Sequence, residues 1–172
     1  MSAPAVILIV DDEEPVANAL ERALRPDGYT LLKATDPVEA LEVVRREHVD
    51  LVISDHLMPG MKGLDFLREV KQIRPETLRV LLTGHADMQL AIAAINQGEV
   101  YRFFQKPWDD ATLRFDIGVA LKNRRLESEN RELSQKISDQ EAMLRDLEQR
   151  FPGISEVKRT ATGAIVIDDE DL

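Results

Sequence analysis

Five short strand-like runs recur along the first part of the chain, each followed by a stretch of helical periodicity. Val6–Val10, Tyr29–Ala34, Leu51–Ser54, Arg79–Leu82 and Tyr101–Gln105 read as strands. Glu14–Arg25, Asp36–Glu47, Gly63–Arg74, Ala86–Gln97 and the stretch from Asp109 read as helices. Local chemistry marks their ends: Asp36 suits an N-cap, Pro37 the first helical turn and Glu39 the third position of a capping box, while Gly98 stops the fourth helix. Steady strand–helix alternation is the pattern of a parallel sheet, whose neighbouring strands are joined by right-handed helical crossovers. The pattern therefore predicts an α/β domain built on a five-stranded parallel sheet.

Composition narrows what such a domain can meet. With 172 residues, 44% of them apolar, the chain can bury one core and a small appendage. A net charge of −10 argues against a sequence-independent grip on nucleic acid. The absence of cysteine excludes disulfides and thiolate metal sites. Val6–Val10 is too short to span a bilayer, and no basic segment precedes it, so neither membrane insertion nor a secretory signal is expected. A cytoplasmic location is the expectation.

The pattern changes after Pro107-Trp108. From Asp109 to Arg150 there is no proline and one glycine, Gly118. Asn123, Asn130, Ile137, Leu144 and Phe151 alternate by threes and fours with Val119, Leu126, Leu133, Gln140 and Leu147, which makes a heptad seam with the first set at a and the second at d. In a parallel pair the flanking positions place Lys122 against Glu127 and Lys136 against Glu141 of the other copy. Asn at a favours a two-stranded parallel register, so a parallel homodimer is expected. The alternative is one long solvated helix. Pro152-Gly153 ends it, and Glu156–Thr160 with Gly163–Ile167 read as a β-hairpin before the acidic end Asp168–Leu172. The expected organisation is a domain over 1–125, an extended helix over 109–151, and a hairpin with an acidic tail over 152–172.

The chemistry gathers at strand ends. Asp11 and Asp12 follow the first strand, Asp55 the third, Thr83-Gly84 the fourth and Lys106 the fifth. Ligands of open parallel sheets bind at the carboxyl ends of the strands; in the flavodoxin-like order 2-1-3-4-5 the first and third strands are neighbours, which brings the three acids together. Clustered carboxylates repel, and hard oxygen donors without His or Cys select Mg²⁺ or Mn²⁺. Asp55 is then a nucleophile, Thr83 a hydroxyl donor, Gly84 a position with room for an incoming group, and Lys106 a cation for phosphoryl oxygens. His56 and His85 lack a third ligand and helical spacing, so they do not read as a metal pair.

Val10-Asp11-Asp12-Glu13, Ser54-Asp55-His56-Leu57-Met58-Pro59-Gly60, Leu82-Thr83-Gly84 and Phe104-Gln105-Lys106-Pro107-Trp108 resemble the receiver domain of two-component response regulators. The resemblance implies that Asp55 takes a phosphoryl group from a histidine kinase or phosphotransfer protein. It implies that Asp12, Asp55 and the main-chain carbonyl of Leu57 bind Mg²⁺ directly, with Asp11 acting through water, and that Thr83 and Lys106 hold the phosphoryl group. Phe103 falls at the family's switch aromatic; Leu57 and His85 fall where the family tunes phosphoryl lifetime. An apolar Leu57 should slow hydrolysis. Tyr101–Trp108 looks most like receivers that precede HD-type phosphodiesterases or hydrogenase regulators.

The expected role is thus a phosphoacceptor switch, not an enzyme acting on other substrates, that signals through the paired helix and the tail to a downstream protein. Three alternatives stand beside it: a fragment of a longer regulator, an aspartyl-phosphate phosphohydrolase, and a dimer module with a vestigial site. A phosphohydrolase usually needs a second acid two residues past the nucleophile, where this chain has Leu57.

Overall fold

The computed structural model describes residues 3–154. Five parallel strands, β1 (Val6–Val10), β2 (Thr30–Ala34), β3 (Leu51–Asp55), β4 (Leu78–Thr83) and β5 (Arg102–Gln105), form one sheet in the order 2-1-3-4-5. The helices are α1 (Glu14–Leu24), α2 (Pro37–Arg46), α3 (Gly63–Ile73), α4 (Met88–Asn96) and α5 (Asp110–Arg150). The alternation of elements predicted the parallel sheet, and its order is the flavodoxin-like one expected to bring the strand-end acids together.

Successive strand residues point to opposite faces, and the core divides accordingly. Leu8 and Val10 pack in one apolar layer with Leu41 and Val44 of α2, Phe66 and Leu67 of α3, and Ala91 of α4. Ile7 and Ile9 pack in the other with Leu20 and Leu24 of α1 and with Leu113 and Ile117 of α5. Covering both faces is what lets β3, LVISD, be buried at every position.

The end signals read at Asp36 and Gly98 hold. The side chain of Asp36 accepts from the Val38 and Glu39 N–H groups at 2.6 and 3.3 Å. Gly98, at φ 71°, closes α4 in a left-handed conformation. Strand ends shift in a way that matters: Asp55 and Thr83 are the last residues of β3 and β4, not the first after them. Cross-strand pairing extends that far, with Asp55 opposite Leu82 and Thr83 opposite Gln105. His85–Asp87 forms a 3-10 turn, so α4 starts at Met88 instead of Ala86. Arg25–Asp27 forms another, and β2 starts at Thr30.

The described residues fall into two compact units, up to Arg124 and from Arg125 onward. In the second, Leu126, Leu133, Ile137 and Leu144 are each more than half exposed, Asn130 is exposed and Leu147 is half-buried. Val119 and Asn123, in the first, are exposed as well. The helix ends at Arg150 before Pro152-Gly153, as expected. The hairpin and acidic tail expected over 156–172 lie outside the described residues. Among the described residues, no helix is long and apolar enough to cross a membrane.

Candidate functional site

Asp11 follows β1 directly, and its N–H continues the ladder by donating to the Ala34 carbonyl. Its side chain is fully buried. Oδ1 accepts from the Glu13 N–H at 2.9 Å, whereas Oδ2 has no hydrogen-bond partner and meets only the Lys106 ammonium at 3.6 Å. Burial pushes the Asp11 carboxyl above the usual carboxylate range; the Glu13 N–H and Lys106 oppose the rise, and the charges of Asp55 and Asp12 add to it.

Asp55 is 5% exposed at the end of β3. Its carbonyl accepts from Ser54 Oγ at 2.9 Å, and the turn after it folds back closely. A Cβ placed on Gly63 would lie 1.9 Å from the Asp55 carbonyl oxygen, so the start of α3 approaches β3 as only glycine permits. Asp12 is exposed, and one carboxylate oxygen from each of Asp11, Asp12 and Asp55 lies within 4.8 Å of the others.

Lys106 follows β5, donates its N–H to the Thr83 carbonyl at 2.9 Å, and sends Nζ to 2.7 Å from Asp55 Oδ1. Partial burial pushes the Lys106 ammonium down. The hydrogen bond and charge of Asp55, with the charges of Asp11 and Glu13, outweigh this and hold its pKa above the ordinary lysine value. The Lys106–Pro107 peptide is cis. Thr83 is fully buried and its hydroxyl donates to the Gly84 carbonyl at 3.2 Å, a long bond exchangeable for a better acceptor. A Cβ on Gly84 would meet open space, as a position left clear for an incoming group requires.

The donor set fits a hard divalent cation. Three carboxylates converge, one buried oxygen lacks a hydrogen-bond partner, and neither His nor Cys joins the cluster. Asp11, Asp12 and Asp55 would hold such an ion, and its charge would relieve the repulsion that a single ammonium leaves uncompensated.

The remaining positions divide. Leu57 is 60% exposed beside Asp55, and His85 is exposed with its Nδ1 3.1 Å from Gln105 Nε2. Phe103 is half-buried and packs against the layer that contains Leu81, its neighbour across the β4–β5 pair. His56 is buried and both its ring nitrogens lack partners; it takes no part in the carboxylate cluster. Sequence reasoning missed Gly63, seen there only as a helix start, though a glycine four residues past Pro59 is a signal for close backbone approach. It also missed Glu13, whose N–H orients Asp11.

Comparison with known proteins agrees with this geometry. Residues 7–117 match the response regulator receiver domain model. The chain is 35% identical over 104 residues to the hydrogenase transcriptional regulatory protein HoxA of Cupriavidus necator, covering 60% of this chain and 21% of HoxA. It is 36% identical over 146 residues to the transcriptional regulatory protein GlrR of Escherichia coli, covering 85% of this chain and 33% of GlrR. The signal receiver domain of an HD domain-containing protein from Pseudomonas fluorescens superposes with a TM-score of 0.69 at 40% identity, covering 75% of this chain and 95% of that one. The chain thus spans between a fifth and a third of the length of these curated relatives. Its buried carboxylates, its strand order and these matches together place the chain in the response regulator receiver domain family.

Proposed function

We infer that the chain is a phosphoacceptor switch in which Asp55 takes a phosphoryl group from the phosphohistidine of a partner kinase or phosphotransfer protein. The observation that carries this reading is the 2.7 Å contact of Lys106 Nζ with Asp55 Oδ1 inside a pocket of two further carboxylates. A carboxylate oxygen of Asp55 attacks phosphorus, the phosphorus–nitrogen bond breaks, and the imidazole leaves with that electron pair. Asp11, Asp12, Asp55 and the Leu57 carbonyl would hold Mg²⁺ or Mn²⁺, which would supply charge neutralisation for the phosphoryl oxygens. Lys106 then exchanges the carboxylate for a phosphoryl oxygen, and Thr83 turns its hydroxyl from Gly84 to another. Both moves draw the ends of β4 and β5 toward Asp55, with Phe103 free to follow behind Thr83. Leu57 supplies neither acid nor base beside Asp55, so the phosphoryl group persists and small phosphate esters are not turned over.

The output is carried by α5. Its row of Val119, Leu126, Leu133, Ile137 and Leu144, all exposed, with the half-buried Leu147, interrupted by Asn123 and Asn130, pairs with a second copy in parallel. Phosphorylation alters how α5 packs and passes through that pair to a downstream protein. Full-length chain incubated with acetyl phosphate and Mg²⁺ should gain the mass of one phosphoryl group, and Asp55→Asn should gain none. An unmodified wild-type chain, or a label retained in Asp55→Asn, would refute the reading.

A further inference from the structure

Helix α5 meets the sheet through a stripe at Leu113, Ile117 and Ala120, all buried. One turn on, the stripe continues as a guanidinium. Arg124, with its side chain 16% exposed, donates from Nη1 to Asp50 Oδ1 at 2.6 Å and from Nε to the Glu76 carbonyl at 2.6 Å. Asp50 and Glu76 precede β3 and β4, so the contact lies at the edge of the sheet opposite Asp55.

Asp50 is itself a junction. Its Oδ2 accepts from the Val6 N–H at 2.8 Å, its own N–H donates to the Val6 carbonyl, and its carbonyl accepts from the Leu78 N–H. The starts of β1, β3 and β4 therefore converge on the group that Arg124 holds. The imidazole of His48, mostly exposed, lies 3.1 Å from the same Oδ1.

We propose that Arg124 is a positioning residue that sets the rotation of α5 against the sheet, up to residue 124, by clamping it to this edge. Asn123 lies about 100° around the helix from Arg124. A turn of α5 that re-aims Asn123 and Val119 must pull the guanidinium from two partners in different directions. A planar fork resists that; an ammonium, which is a point charge, would not. Among the described residues, α5 makes two further cross-element ion pairs, the bidentate Arg114–Asp27 pair and Arg102–Asp116, but both act near the start of the helix and leave the end of the buried stripe to Arg124.

Hydrogen exchange on the full chain tests the clamp. Arg124→Gln should raise exchange about tenfold, both in α5 around residues 120–124 and in the turn at 76–78, because a charge-assisted anchor is lost. Arg124→Lys should restore part of the protection. Arg125→Gln, which removes only an in-helix pair with Glu129, should change neither segment. Wild-type exchange in Arg124→Gln overturns the proposal, as does full protection in Arg124→Lys.

Discussion

Lys106 and Asp55 meet at 2.7 Å although one follows β5 and the other ends β3, with β4 lying between them. The lysine stem reaches across a whole strand, and its ammonium also comes within 3.6 Å of the buried Asp11. One cation thus serves two buried acids from different strands. A third acid, Asp12, stands within 4.8 Å of both.

Removing that cation should favour a metal. In Lys106→Ala the three carboxylates keep their repulsion but lose the charge that offsets part of it, so Mg²⁺ should bind about tenfold more tightly. Emission of Trp108, the chain's one tryptophan and two residues from Lys106, offers the titration signal. Unchanged or weaker binding would show that the ammonium does not compete with the ion.

Asp11→Asn should stabilise the metal-free protein at neutral pH by about 1 kcal/mol in urea melts. Burial raises the folded-state pKa of Asp11 above its unfolded value. Folding therefore favours the protonated acid, and stability falls as pH rises from the unfolded value through the folded one. Above that window the penalty stays in full, and the amide escapes it while Oδ1 still accepts from Glu13. The two proteins should converge in acid, where Asp11 is already neutral. Mg²⁺ should raise the melting temperature of the wild type more than that of the variant.

Two glycine-to-alanine changes should have opposite signs. In Gly63→Ala the new methyl would sit 1.9 Å from the Asp55 carbonyl oxygen, a backbone clash that costs about 3 kcal/mol or more. In Gly118→Ala it would lie 3.6 Å from the Tyr29 hydroxyl, an ordinary contact, inside a helix where alanine gains about 0.8 kcal/mol. Equilibrium unfolding of both variants checks the pair.

Ile137→Lys places a charge at the middle of the proposed seam. Sedimentation should show dimer affinity weakened about a hundredfold, with uptake of the phosphoryl group at Asp55 unchanged. A wild-type chain that sediments as a monomer at micromolar concentration would remove the seam from the account.

Much of this protein is written along the chain. Strand-like runs alternating with helical periodicity determined the parallel sheet, because a parallel neighbour can be reached only through a crossover. Asp36 and Gly98 marked helix ends through hydrogen bonds and backbone angles that are local properties. Asp11, Asp12, Asp55, Thr83 and Lys106 were legible as strand-end residues, since strand ends are where an open sheet collects its chemistry. The sequence could not show that Asp11 is the acid left with an unpartnered oxygen, or that Lys106 spans β4 to reach Asp55. Nor could it show that Gly63 must lack a side chain, or that Arg124 closes the buried stripe of α5 on Asp50. Each of these joins residues distant along the chain, and their separation and burial exist only once the strands are packed side by side. Periodicity and capping follow from neighbours in sequence; charge pairing, desolvation and close backbone approach follow from neighbours in space.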